Sequence, residues 1–155
     1  MGVFDVRFWL IPQGRAIRLA NSGSTTADGE PVMIMSFPTA NNGAARLEAR
    51  PLKEWLLSRN FVFEGSEGVW DGMSVDVYEE DNWLDSIRIT MPIYDWQTRK
   101  ITSLQQIDTW IARIRDVANE FNLRIVSDGA EIESGEIPAV AMCRISKMGF
   151  RTPPG

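Results

Sequence analysis

Eight carboxylates, Glu64, Glu67, Asp71, Asp76, Glu79, Glu80, Asp81 and Asp85, fall between residues 61 and 85 with no lysine or arginine among them. Two carboxylates at a suitable separation can divide general-acid and general-base work at a glycosidic bond, and Trp70, Trp83 and Tyr94 would offer stacking faces to a sugar. The spacing selects no pair out of the eight. A solvated rim on a strand–turn–strand segment is the simpler expectation, and no residue is assigned as catalytic.

The same segment reads more readily as a binding surface. In Asp81-Asn82-Trp83-Leu84-Asp85 an aromatic and an aliphatic side chain stand among carboxylates. An aromatic anchor ringed by charge is a common makeup of a protein interface. The competing reading is that Trp83 and Leu84 close a hydrophobic corner. The sequence thus points to Asp76, Tyr78, Glu79, Glu80, Asp81, Trp83 and Asp85 as a partner-binding strip.

Charge partitioning supports that choice. Of the formal net charge of −5, residues 1–60 contribute +2, with seven basic residues against five acidic. Residues 61–85 contribute −8, and residues 86–155 contribute +1, with nine basic against eight acidic. An acidic chain is a poor general binder of nucleic acid or anionic membrane, both of which call for excess Lys and Arg.

Other chemistries are removed by composition. The chain has no histidine, which excludes a Ser-His-Asp or Cys-His relay, an HExxH zinc site and an imidazole proton shuttle. Its single cysteine, Cys143, excludes an internal disulfide and a CxxC pair. Cys143 follows Ala139, Val140, Ala141 and Met142, which predicts a buried, inert thiol in a strand. No GxxxxGK[ST], GxGxxG, SxxK or GxSxG occurs. The run Asp76–Asp85 lacks the alternating ligands and central glycine of an EF-hand loop, so a weak Ca²⁺ site is the most it offers. No cofactor or metal is expected. Arg15 and Arg18, without a glycine-rich cradle, read as surface cations.

These residues must be held by regular elements. Ser103 and Gln106 form a capping pair before Leu104, Ile107, Ile111, Ile114, Ala118 and Phe121, the clearest helix in the chain, with Trp110 and Val117 widening its apolar face. Asn122 suits the left-handed position that ends it. Pro51 opens a second helix burying Leu52, Trp55 and Leu56, and Asn60 ends it. Alternation predicts strands over 4–10, 32–37, 61–63, 69–79, 86–93 and 123–126, with a final strand over 137–145. In the first of these Trp9 lies on the polar side. Residues 21–30 read as a Gly/Ser/Thr-rich loop and Asp71-Gly72 as a kink or turn. The order helix, Asn, short strand, acidic residue-Gly occurs twice, at Asn60 to Gly65 and Asn122 to Gly129, the pattern of a duplicated unit. The fold class is α+β, a single domain of mostly antiparallel sheet with two helices packed on one face. It covers 1–148 and is followed by a flexible tail, 149–155.

Asp5 and Arg7 interrupt the apolar opening stretch, which therefore does not read as a signal peptide. No uncharged run approaches the roughly 20 residues of a membrane span. The expectation is a cytoplasmic, bacterial-type protein that is not an enzyme. Its acidic, aromatic-bearing segment would engage a basic protein partner, as an immunity or inhibitor protein engages a nuclease-type toxin. The alternatives are a small-molecule or carbohydrate-binding module, with or without carboxylate-based hydrolysis, and an assembly or regulatory subunit in which the strip forms a homodimer surface.

Overall fold

The computed structural model describes residues 4–40, 46–95 and 97–147. Its strands are β1 (Asp5–Ile11), β2 (Arg18–Thr25), β3 (Pro31–Ser36), β4 (Val62–Glu64), β5 (Glu67–Trp70), β6 (Met73–Glu80), β7 (Trp83–Pro92), β8 (Tyr94–Asp95), β9 (Lys100–Ile101), β10 (Arg124–Ser127) and β11 (Ala130–Ile132). The helices are α1 (Ala49–Ser58), α2 (Leu104–Glu120) and α3 (Ile137–Lys147). Seven strands form one antiparallel sheet in the order β11-β10-β1-β7-β6-β5-β4, while β2 pairs with β3 and β8 with β9 in two separate hairpins. The α+β class with an antiparallel sheet is as expected.

Alternation decides which face is buried. Val6, Phe8 and Leu10 of β1, Val75 and Val77 of β6, Ile87, Ile89 and Met91 of β7, and Ile125 of β10 are all buried in one cluster. Leu52 and Leu56 of α1, Ile107, Ile111 and Ile114 of α2, and Ile137, Ala141 and Ile145 of α3 belong to the same cluster, so the helices cover one face. The opposite face has its own small cluster of Ile11, Phe37 and Val126, with Trp9, Ile17 and Met35 against it. There the β2–β3 hairpin covers one end of the sheet.

The helix signals act as their chemistry requires. Ser103 Oγ accepts the backbone N–H of Gln106 at 3.1 Å, capping α2. The Gln106 side chain turns instead to Asp71, donating to its carboxylate at 2.9 Å, while Trp110 donates its indole N–H to the Asp71 carbonyl at 2.9 Å. Asn60 and Asn122 adopt φ of 71° and 51° just past their helices.

Four expectations are corrected. Residues 137–145 form α3, not a strand: Ile137, Ala141 and Ile145 recur every four residues, Pro138 sits in the first turn, and a capping box joins Glu133 to Glu136. The helices therefore number three among the described residues. On α3 Cys143 points away from that buried stripe and is exposed. Residues 18–25, largely expected to be loop, pair with β3 despite a register shift between Asn21 and Thr25. Their polar side chains are solvated on both faces, so alternation has nothing to report there. The repeated helix–Asn–strand pattern is not a duplication, because β4 is a sheet edge whereas β10 lies inside β11. The tail expected at 149–155 lies outside the described residues.

Candidate functional site

Three short turns build the acidic region. Asp71-Gly72 joins β5 to β6 and Asp81-Asn82 joins β6 to β7, each pair with positive φ at both residues. That is the backbone of a type I′ hairpin turn, whose twist matches that of the flanking strands, and Asp and Asn tolerate it. Gly65 opens the turn between β4 and β5 at φ 65°. Most of residues 61–85 thus become a three-stranded meander at one side of the sheet.

The β6–β7 pairing slips by one residue between Tyr78, opposite Ser86, and Glu79, opposite Leu84. Asp85 is the extra residue of this bulge. Its carboxylate accepts from Arg15 at 3.2 Å and from the Ser86 hydroxyl at 2.8 Å. Arg15 also donates to the carbonyls of Phe37 at 3.0 Å and Leu84 at 3.2 Å. One guanidinium thereby ties the chain after β1, the end of β3 and the bulge together.

These ties shape a cavity of about 450 Å³ lined by Trp9, Met35, Ser36, Phe37, Tyr78, Glu79, Glu80, Asp85 and Ser86. Trp9 reaches it from β1, with Phe37 tilted against its ring at a centroid separation of 5.4 Å and Tyr78 stacked on it at 5.9 Å. The walls are aromatic and the rim is acidic.

The seven strip residues do not share one environment. Asp76 lies on the helix-free face, opposite Arg88 and ion-paired with it at 2.9 Å. Burial alone would push the Arg88 guanidinium down, but hydrogen bonding to Asp76 and the nearby Tyr78 and Glu67 more than reverse this and raise it. Tyr78 and Glu80 border the cavity. Glu79 also borders it, yet reaches Lys53 of α1 at 3.1 Å. Asp81 sits in the hairpin turn. Trp83 is half-buried, with the Arg46 guanidinium 5.7 Å from its ring centroid and its backbone bridged to Glu48. Asp85 is held by Arg15.

Folding therefore brings basic residues onto the segment that the linear charge count leaves bare. Arg88, Lys53 and Arg15 each meet one of its carboxylates. Among the described residues, Glu64, Glu67, Asp71, Glu80 and Asp81 make no ion pair within 4.0 Å, Asp71 accepting instead from the Gln106 amide. The acidic residues left without an ion pair lie at the β6–β7 tip, the β5–β6 turn and the β4–β5 edge.

Sequence reasoning missed Trp9, Met35, Phe37 and Arg15 as site residues. An outward-facing Trp9 was a usable signal, but its contact with Tyr78 runs across β7 and is not local. Among the described residues no group of three or more His, Cys, Asp or Glu side chains is placed to hold a metal ion, and no helix is long and apolar enough to cross a membrane. No family model, curated protein or solved structure matches the chain.

Proposed function

We propose that the protein is a non-catalytic binding protein whose β6–β7 hairpin and the adjoining aromatic cavity dock a basic protein partner, in the manner of an inhibitor or immunity protein set against a cationic toxin enzyme. The observation that carries this reading is the cavity itself: Trp9, Phe37 and Tyr78 form its walls, while Glu80 stands on its rim with no ion pair among the described residues. Aromatic anchors supply contact area at low entropic cost, and unneutralised carboxylates steer a cationic surface toward them. Glu80 and Asp81, at the end of a tightly turned hairpin, stand where an approaching surface arrives first.

The test is affinity capture from the source cells with the wild type and the Glu80→Lys/Asp81→Asn double variant. Asn keeps the positive-φ turn while removing the charge. The wild type is expected to retain a basic protein, to lose it as salt is raised, and to capture it through the named carboxylates, so that the variant does not. Equal retention by the variant would end the proposal.

A further inference from the structure

We infer that the cavity between the β2–β3 and β6–β7 hairpins is a receptor for an arginine side chain, an inference that rests on reading this face as the dock for a basic protein. Among the described tryptophans, Trp55, Trp70 and Trp83 each have a guanidinium over the ring, from Arg59 at 4.7 Å, Arg113 at 4.5 Å and Arg46 at 5.7 Å. Trp110 is buried and spends its N–H on a carbonyl. Trp9 lines the aromatic cavity and has no guanidinium over its own ring among the described residues, while Arg88, its cross-strand neighbour, lies 5.9 Å from the centroid of the stacked Tyr78 ring. An external guanidinium would supply to the Trp9 ring what Arg59, Arg113 and Arg46 supply to Trp55, Trp70 and Trp83.

Ring geometry separates arginine from lysine and its methylated forms. An ammonium held in an aromatic cage touches a ring on each side, which requires facing rings about 7 Å or more apart at ordinary contact distances. Here the Trp9 centroid lies 5.4 Å from Phe37 and 5.9 Å from Tyr78, so the rings touch one another and leave no slot between them. With no slot between the rings, what is left for a guest is a single ring face, which suits a flat, weakly hydrated guanidinium that stacks by its face and turns its edge N–H groups toward a carboxylate.

The rim supplies that acceptor. Asp85 is engaged by Arg15 and Ser86, and Glu79 by Lys53, leaving Glu80 as the rim carboxylate without an ion pair among the described residues. Met35, half-buried at the cavity, adds apolar surface for the aliphatic stem of the guest, as long cationic side chains bury their stems and keep their heads polar. The partner chemistry is thus a protein surface presenting an arginine.

The experiment titrates N-acetyl-L-arginine N-methylamide into the intact ¹⁵N-labelled chain and follows the indole N–H signal of Trp9, assigned by its loss in Trp9→Phe. Matched derivatives of citrulline, lysine and trimethyl-lysine are the comparisons. The arginine probe is expected to shift the signal saturably, with the lysine probes weaker and citrulline, its neutral near-isostere, at least about tenfold weaker. Glu80→Gln should weaken the arginine response about threefold or more, with its folded spectrum otherwise unchanged. An equal response to citrulline, a stronger response to trimethyl-lysine, or no response of Trp9 to arginine would each overturn the inference. Those failures with salt-sensitive capture of a basic partner intact reject only the arginine guest; failure of capture as well rejects the docking reading.

Discussion

On the helical side of the sheet, every second residue of β1 and β7 is apolar and buried, from Val6, Phe8 and Leu10 to Ile87, Ile89 and Met91. On the other side the same strands present Asp5, Arg7, Trp9, Arg88 and Thr90, and the β2–β3 hairpin covers one end. The first face is held by area removed from water, which is non-directional and tolerant of partner. The second is held by specific pairs, Arg88 with Asp76, Arg15 with Asp85 and Trp9 with Tyr78. A fold can therefore be secured on one face while the other is left free to carry recognition.

The largest effect should come from the buried face. Ile89→Ala removes a side chain that is 1% exposed at the centre of the sheet and is expected to cost about 2–5 kcal/mol in urea unfolding. A loss below 1 kcal/mol would mean that the helical face is not the main source of stability.

A middle-sized effect is expected where the second face is tied together. Arg15→Ala leaves the Phe37 and Leu84 carbonyls and the Asp85 carboxylate without that donor, at a cost of about 2 kcal/mol. It should also loosen the cavity wall, seen as altered Trp9 and Tyr78 side-chain signals. An unchanged aromatic environment would show that Arg15 does not shape the site.

The smallest effects concern pH and should have opposite signs. Burial holds the Asp5 carboxyl above its usual range, with Arg7 pulling partly the other way. Its contribution is thus full below the unfolded-state value and is lost as pH rises through the folded-state value. The exposed Asp95 is held below its usual range by accepting backbone N–H groups from Gln97 and Thr98. Its contribution is present above the unfolded-state value and is lost as pH falls through the folded-state value. In urea melts from pH 7 to pH 2.5, Asp5→Asn should gain relative to wild type toward pH 7, and Asp95→Asn should lose relative to wild type toward pH 7. Trends of the same sign would contradict these assignments.

The contrast between faces also explains what the sequence disclosed. Period-two alternation reports burial on one side, so β1, β6 and β7 are legible, and α2 is legible from Ser103 to Asn122 because its cap and its stripe agree. Asp71-Gly72 is legible as a turn from its residue types, whereas the turn at Asp81-Asn82 is hidden within a run that reads as binding surface. α3 is ambiguous as text, since a short apolar run of Ala, Val, Met and Ile fits a buried strand equally until Pro138 and the four-residue spacing of Ile137, Ala141 and Ile145 are weighed. The site is the least legible part. The seven strip residues are neighbours along the chain, whereas Arg15 meets Asp85 across a separation of 70 residues and Trp9 meets Tyr78 across β7. No local pattern encodes those contacts, and they decide which carboxylates remain free.

The helix-free face is proposed to recognise a partner through the exposed tip of the β6–β7 hairpin, whose side chains the fold does not need. Unfolding free energy and partner capture are to be measured on one protein, the Glu80→Lys/Asp81→Asn variant. Stability within about 0.5 kcal/mol of wild type, as expected for exposed surface changes, together with loss of the basic partner, is the predicted result. Capture at the wild-type level by a variant of wild-type stability would contradict it.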